Sequence, residues 1–599
     1  MERTPYSVGP YGPAAYSGSL GPNPKFMEDR FVFVYQDVRG RFMSEGYYQY
    51  MTPNLGPQGR TPPGGGDVGA RPNQPTSIYR PASMPLGAGA PGPTLGNALL
   101  GVDESTDTYD TIAWLLKHVP NNNGRVGLWG ISAPGMLVTA SMIDAHPALV
   151  AASPQAPMID WYFGDDRHKH GAFTLAQTFN FLSNFARTRP GPTTSYGPFT
   201  SEGSANPDGY AFFLKGGTVR QIRDKYLQAS APFFDSIMVH PNYDDFWKKR
   251  SFGPHLNHIK PAVLWVGGWY DGEDPFGPLE AWRQMDVLSQ ETERYLVVGP
   301  WWHGGWARGD GDFFGLLQFG QKTAEFYRDS LEFPFFSCKL KDRCDTKVPH
   351  VAVFRTGSNS WDAYDAWPPK EAATRSIYLR EGGALSFDKP AAPTAFDTYV
   401  SDPAKPVPYT NATSFGYYRF WLTEDQRFVS SRPDVLVYET EPLTEDLTIA
   451  GEIKVTLHVS TTGADADFIT KVIDVYPNDA VTPQGFPYGT SHAGMQQLVR
   501  GDVMRARWRR DYAKPIPLVP NQPDSLVYPL NDVYHTFRKG HRLMVQVQST
   551  WFPLIDRNPQ TWAPNIYEAR PADFRAETMR VYRSARQPSR IEVRLVNPQ

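Results

Sequence analysis

Cysteine is nearly absent from this sequence. Cys338 and Cys344 are the only two in 599 residues, six positions apart in "FFSCKLKDRC". Without paired histidines nearby they do not make a zinc site. Their spacing fits either a small disulfide loop, which would favour an oxidising compartment, or two free thiols. A long apolar run is missing too: none reaches the ~18 residues of a membrane-spanning helix. Nor is there an excess of one charge. The 59 basic and 62 acidic residues are interspersed and leave a formal net charge of −3, which points to neither nucleic acid nor another polyanion as a partner. The first residues, "MERTPYSVGPYG", lack the charged-then-apolar order of a secretory signal. They begin in what reads as the end of a strand entering a loop.

What is present is ample material for packed cores: 40% hydrophobic residues, 14% of the chain aromatic, over a length that favours two or three domains. Nearly continuous apolar runs recur early, "FVFVYQDV" (31–38), "RVGLWGI" (125–131), "AVLWVGGW" (262–269) and "RYLVVGPW" (294–301), as in strands buried on both faces of a parallel sheet. Helical patterns alternate with them. "DESTDTYDTIAWLLKHV" has Asp103 as N-cap, acids in its first turn and His118 near its end. The pattern predicts an α/β domain over 1–165 and 251–345, with a mostly helical cap inserted at 166–250. A Gly/Pro-rich stretch at 52–100 reads as a long surface arm. From 346 to 599, short alternating segments such as "HVAVFRTG", "EIKVTLHVSTT" and "HRLMVQVQST" predict an all-β sandwich or jelly roll.

The chemistry-bearing stretch is "GLWGISAPGM", Gly127–Met136. A nucleophile elbow reads G-x-S-x-G; here Pro134 holds the second glycine's place and Gly135 comes one residue late. Proline lacks an N–H, pre-sets φ for a helix start, and pushes Ala133 out of the α region, leaving the Ala133 N–H free for an oxyanion. Asp271 after "AVLWVGGWY" and His303 after "RYLVVGPWW" complete the chain order Ser, Asp, His of an α/β-hydrolase, each at a strand end. In that arrangement His303 takes the Ser132 proton, while Asp271 fixes the imidazole tautomer and stabilises the imidazolium. A second oxyanion donor is needed. Tyr6 in "RTPYS" is the candidate, reaching in from the loop after the third strand of such a sheet, with a packing role as the alternative. His168 and His170 in "RHKH" lack a third metal ligand and read as cap residues beside acidic ones. Asp465 and Asp467 in "GADADF" read as a turn. Trp269, Tyr270, Trp301, Trp302 and Trp306 flank the loops of the triad, either lining an acyl pocket or filling the core.

Taken together, "RTPY" (3–6), "VYQDVRGRFMSEG" (34–46), "GISAPG" (130–135), "SPQAP" (153–157), "GDD" (164–166), "WYDGED" (269–274) and "GPWWHGGW" (299–306) resemble the α-amino-acid ester hydrolases and their acyltransferase relatives. That family lies within the wider group of cocaine esterase and the X-Pro dipeptidyl-peptidases. "EPLTEDLTIAG" and "HTFRKGHRLMVQVQS" carry the resemblance through the β region. It implies an α/β-hydrolase fold with helical cap and jelly roll, a triad of Ser132, Asp271 and His303, and an oxyanion hole of the Tyr6 hydroxyl and the Ala133 N–H. It also implies that Asp166, Glu273 and Asp274 receive a substrate's α-ammonium group. Read without the resemblance, those acids are solvated turns, or Asp274 an N-cap.

The activity implied is cleavage of α-amino-acid esters, and of amides, through an aminoacyl-enzyme. Water or an amine such as an amino acid or β-lactam nucleus then takes the acyl group. No cofactor or metal is implied, and homo-oligomers remain open. The alternatives are a general carboxylesterase or glutaryl-type acylase of the same fold, or an inert fragment with a binding β domain. Two departures stand out. Ala133 occupies the place of the family's tyrosine. The chain also begins beside "RTPY", where the family carries a signal peptide and further strands, so a truncated start is expected, and periplasmic or secreted localisation rests on the resemblance alone.

Overall fold

The computed structural model describes residues 1–54, 102–185, 191–196, 207–227, 232–415, 417–487 and 489–596. Apart from Thr52, Pro53 and Asn54, the expected Gly/Pro-rich arm lies outside the described residues. Among the described residues, eight strands frame the α/β part, besides the short antiparallel pair Phe313–Phe314 and Leu317–Gln318. The eight are β1 (Glu2–Thr4), β2 (Tyr35–Asp37), β3 (Val126–Ile131), β4 (Leu149–Gln155), β5 (Ala262–Gly268), β6 (Arg294–Gly299), β7 (Val351–Arg355) and β8 (Ser360–Tyr364). Six of them form one sheet in the order β8-β7-β6-β5-β4-β3. All its pairings are parallel except the β7–β8 hairpin. Strands β1 and β2 pair in parallel, and β1 meets β3 through the Trp129 N–H donating to the Met1 carbonyl at 3.2 Å. The run read as a strand over 31–38 is ordered as one only at its end.

The continuous hydrophobicity of the central strands has its reason in two cores. Val263 and Trp265 pack on one side with Leu137 and Leu279, from the helices Ala133–Met142 and Phe276–Leu288. Leu264 and Val266 pack on the other with Phe335 and Phe336, from the helix Phe333–Lys341. Period-2 alternation therefore puts apolar groups on both faces. The helix Glu104–His118 is capped as its sequence predicts: Asp103 accepts from the Thr106 N–H at 2.9 Å, and Thr106 completes a capping box. Cys338 and Cys344 are joined as a disulfide.

The cap contains the helices Leu175–Phe185, Gly209–Gly216 and Pro232–Val239, preceded by the two-residue strands His168–Lys169 and Ala172–Phe173. The β part is a seven-stranded and a four-stranded antiparallel sheet. Between them lies an apolar layer that includes Val455, Leu457, Phe468, Val472, Val545 and Val547. One boundary shifts. "HVAVFRTG" is read from the sequence as the first sandwich strand, but β7 pairs with β6 and completes the hydrolase sheet. Val351 to Phe354 are all buried, a pattern that suits a two-faced parallel strand.

Asp465 and Asp467 are not a solvated turn. Asp465 accepts from the Arg507 Nε at 2.6 Å. Asp467 takes two bonds of 2.8 Å from Arg505, which also reaches Asp556 at 2.7 Å. All five of these side chains are buried. Removing one partner strands the opposite charge in a medium that cannot solvate it. Arg505→Ala is expected to destabilise the protein by about 3–5 kcal/mol, read as a lowered midpoint in urea unfolding.

Candidate active site

In-register parallel pairing brings the ends of β3, β5 and β6 to one edge: Ile131 lies opposite Gln155 at the end of β4, and Gly268 opposite Gly299. The chain leaves these ends as Ser132, Asp271 and His303. Past the strands the pairing continues, with the Trp269 N–H bonding the Gly299 carbonyl at 2.8 Å and the Tyr270 N–H the Trp301 carbonyl at 3.0 Å. The loops carrying Asp271 and His303 are thus zipped together.

Ser132 sits at φ 66°, ψ −127°, between β3 and the helix Ala133–Met142. A non-glycine residue there is strained, as a nucleophile elbow requires. The late glycine has a steric explanation. A Cβ on Gly130 would lie 2.6 Å from the Pro134 carbonyl carbon, and one on Gly135 2.5 Å from the Gln155 carbonyl oxygen. Pro134 packs on Gly130, and the next residue must clear β4. One expectation is corrected: Ala133 is not displaced from the α region but is the first helical residue. Among the described residues its N–H has no backbone partner, as the first turn of a helix leads one to expect. Ala133 is buried, and nothing in the structure explains why alanine stands there.

Asp271 is buried, and its Oδ2 accepts from His303 Nδ1 at 2.8 Å. Its Oδ1 accepts from the N–H groups of Glu273 and Asp274 at 2.9 and 3.0 Å. Burial works to raise the Asp271 pKa, but His303 and these bonds hold it below the ordinary range. Tyr6, on the loop after β1, has its hydroxyl within electrostatic reach of the Ser132 side chain. The residue is 41% exposed, and its ring edges onto Phe185 and Phe181. Burial, with Tyr50 and Asp166, keeps that phenol protonated well above the usual tyrosine range, so it stays a donor. Among the described residues His303 Nε2 has no hydrogen-bond partner; such bonds often tighten only when substrate arrives.

The three acids predicted to act together are brought together. Asp166 lies at φ 47°, and its N–H reaches the Glu273 carbonyl at 3.3 Å. It is fixed by its neighbour Asp165, which accepts from the N–H groups of Ile159, Asp160 and Gly277. Asp166 is itself partnered, by Gln177 at 2.6 Å and Arg167 at 3.0 Å. Asp274 is not. It is fully buried, and among the described residues neither of its oxygens has a hydrogen-bond partner; His303 Nε2 stands 3.9 Å away. The helix after it begins with Pro275 as N-cap, so Asp274 is no cap. Burial, followed by Asp166, pushes the Asp274 pKa well up. Burial also raises Glu273 to about 6, against the pull of His303.

Sequence reasoning missed the wall opposite. Ser414, Phe415 and residues 417–420 of the β part close a cleft of about 470 Å³ over Tyr270, Gly272, Glu273, Trp302 and His303. The Tyr417 hydroxyl lies so close to Gly272 that a Cβ there would come within 1.9 Å of it. The available signal was "FGYYRFW", an aromatic run with no strand alternation. Of the five flanking aromatics, only Tyr270 and Trp302 line the cleft. The indoles of Trp269, Trp301 and Trp306 are buried and bonded to the Phe354 carbonyl, Thr323 and Gln155. His168 and His170 turn to the sandwich, bonding Tyr567 and the Val503 carbonyl. Burial drops the His168 pKa to about 3.

Burial works to lower the His303 pKa, but Asp271, Glu273 and Asp274 outweigh it and hold the imidazolium well above the usual range. Taking away one negative charge removes part of that support, so the neutral imidazole persists to lower pH. Glu273→Gln is expected to move the acid limb of Ser132 labelling by a fluorophosphonate about one pH unit downward, measured as labelling rate against pH.

Two family models match the chain: X-Pro dipeptidyl-peptidase (S15 family) over 89–305, and the X-Pro dipeptidyl-peptidase C-terminal non-catalytic domain over 345–592. Cocaine esterase of Rhodococcus sp. (strain MB1 Bresler) is 26% identical over 520 residues, covering 83% of this chain and 84% of its own. The crystal structure of an aminopeptidase from a marine sediment Thaumarchaeota archaeon superposes with TM-score 0.85 at 36% identity, over 100% of this chain and 91% of that one. An α-amino acid ester hydrolase structure gives 0.84 at 35%, over 99% and 91%. With that coverage and an α/β-hydrolase sheet carrying a serine elbow, this chain belongs to the CocE/NonD, X-Pro dipeptidyl-peptidase-like family of serine hydrolases.

Proposed function

We propose that this serine hydrolase cleaves esters and amides of α-amino acids that carry a free amino group. The observation that carries the reading is Asp274, a fully buried carboxylate whose oxygens have no hydrogen-bond partner among the described residues. Burial favours the neutral acid in such a group, and a cation that meets it stabilises the charged form. With Asp166 already held by Arg167 and Gln177, Glu273 and Asp274 are left to receive an ammonium group through charge-assisted hydrogen bonds. The names of the aminopeptidase and the α-amino acid ester hydrolase that resemble this chain agree with an amino-acid acyl unit.

In this reading the ammonium anchors the substrate so that its carbonyl meets Ser132. His303 takes the Ser132 proton as the oxygen attacks, and Asp271 stabilises the imidazolium. The Tyr6 hydroxyl and the Ala133 N–H bind the oxyanion. The imidazolium then protonates the leaving alcohol or amine, and an aminoacyl-Ser132 ester remains. Water, or an amine acceptor, attacks that ester with His303 again as base, and Ser132 regains its proton. The ammonium also offsets the negative charge that holds His303 protonated, so substrate binding favours the base form.

Phenylglycine methyl ester should be hydrolysed with kcat/KM at least about thirtyfold above its N-acetyl derivative. Equal turnover of the two would reject the amine-binding role and leave a general esterase, and Ser132→Ala should abolish activity. Tyr6→Phe, which keeps the ring packing, should lower kcat by about a hundredfold in the same assay.

A further inference from the structure

The cleft that Glu273 lines is lined by a basic residue as well. Arg419 lines the same cleft as Glu273 and His303. Its guanidinium lies 4.7 Å from the centre of the Trp302 ring and 5.2 Å from that of Phe420. A second guanidinium, Arg308, approaches the same indole at 5.2 Å. Both side chains are exposed, and among the described residues neither has a carboxylate partner. Elsewhere in the chain Arg39, Arg125, Arg223 and Arg432 find carboxylates. An aromatic face holds a guanidinium laterally while leaving its N–H fork free. That fork fits a carboxylate in bidentate geometry.

Polarity along the cleft then constrains the ligand. A substrate whose ammonium meets Glu273 and Asp274 places its carbonyl at Ser132. The wall formed by Trp302 and Phe420 is then open to the part beyond the scissile bond. We infer that Arg419, seconded by Arg308, binds a carboxylate on the leaving group or acyl acceptor, so that the preferred partner of the aminoacyl unit is itself an α-amino acid. This rests on the amine-binding reading for the orientation of the substrate. The ligand class it names is a zwitterion, such as a dipeptide with both ends free. A simple alkyl ester would engage only the acidic end.

The test is protection of Ser132 from a fluorophosphonate, measured as initial labelling rates with three ligands: Phe-Ala, Phe-Ala amide and N-acetyl-Phe-Ala. Phe-Ala should protect at roughly three- to tenfold lower concentration than its amide. Arg419→Lys should keep that order and Arg419→Glu should reverse it, an outcome that misfolding cannot produce. Equal protection by acid and amide, or an unchanged order in Arg419→Glu, would overturn the carboxylate site while leaving the amine site standing. If N-acetyl-Phe-Ala protects as well as Phe-Ala, the amine reading falls and the basic rim stands. No protection by any of the three overturns both.

Discussion

Negative charge packed round one imidazole is the constraint on which the rest of this site depends. Asp271, Glu273 and Asp274 come from a single turn and Asp166 from the cap, and all of them bear electrostatically on one another or on His303. Such a cluster is tolerated only because the fold supplies partial answers. Arg167 is buried against Asp166, backbone N–H groups point at Asp271, and Asp165 braces the cap loop. What remains unanswered is concentrated on Asp274. Among the described residues, the only cationic group within ion-pair distance of it is His303, 3.9 Å away.

Geometry is enforced by three parts of the chain that are far apart in sequence. The parallel sheet sets the three strand ends, and close packing of Gly130 and Gly135 forces the elbow at Ser132. The cap adds Asp166 from a loop whose following helix is anchored in the β part: the Leu175 and Ala176 N–H groups bond the carbonyls of Leu554 and Pro553. The sandwich contributes the opposite wall of the cleft, with Tyr417 against Gly272. A region matched to a non-catalytic domain therefore shapes the space in which a substrate lies.

Much of this was legible in the sequence because it is local. Strand ends with Ser132, Asp271 and His303 in order and the capping residue Asp103 announce themselves within a few positions, whereas the acids at 166, 273 and 274 stand out only through the family resemblance. What was not legible depends on tertiary contact. Apolar alternation cannot say which sheet a strand joins, so Val351–Arg355 was assigned to the wrong one. Acid spacing cannot reveal an arginine 40 residues away, so Asp465 and Asp467 read as a turn rather than as partners of Arg507 and Arg505. The aromatic run at 415–421 has no periodicity to mark it, and only the folded chain carries it to the triad. Proline at 134 does sit in the first turn of the helix, as its fixed φ suggests, but it does not push Ala133 out of the α region; it also packs beside Gly130.

The strand Val351–Arg355 makes the two halves inseparable in a particular sense. The hydrolase sheet is finished only by residues that come after the disulfide loop, and the next parts of the chain are already the sandwich. Thr356, directly after that strand, exchanges backbone hydrogen bonds with Tyr534 and Thr536 of the sandwich strand Asp524–Phe537. Recombination at the apparent joint near 345 would carry two strands of one fold away with the other. Over evolutionary time, such a chain can change its specificity by altering loops, but it cannot acquire a new C-terminal half by simple exchange.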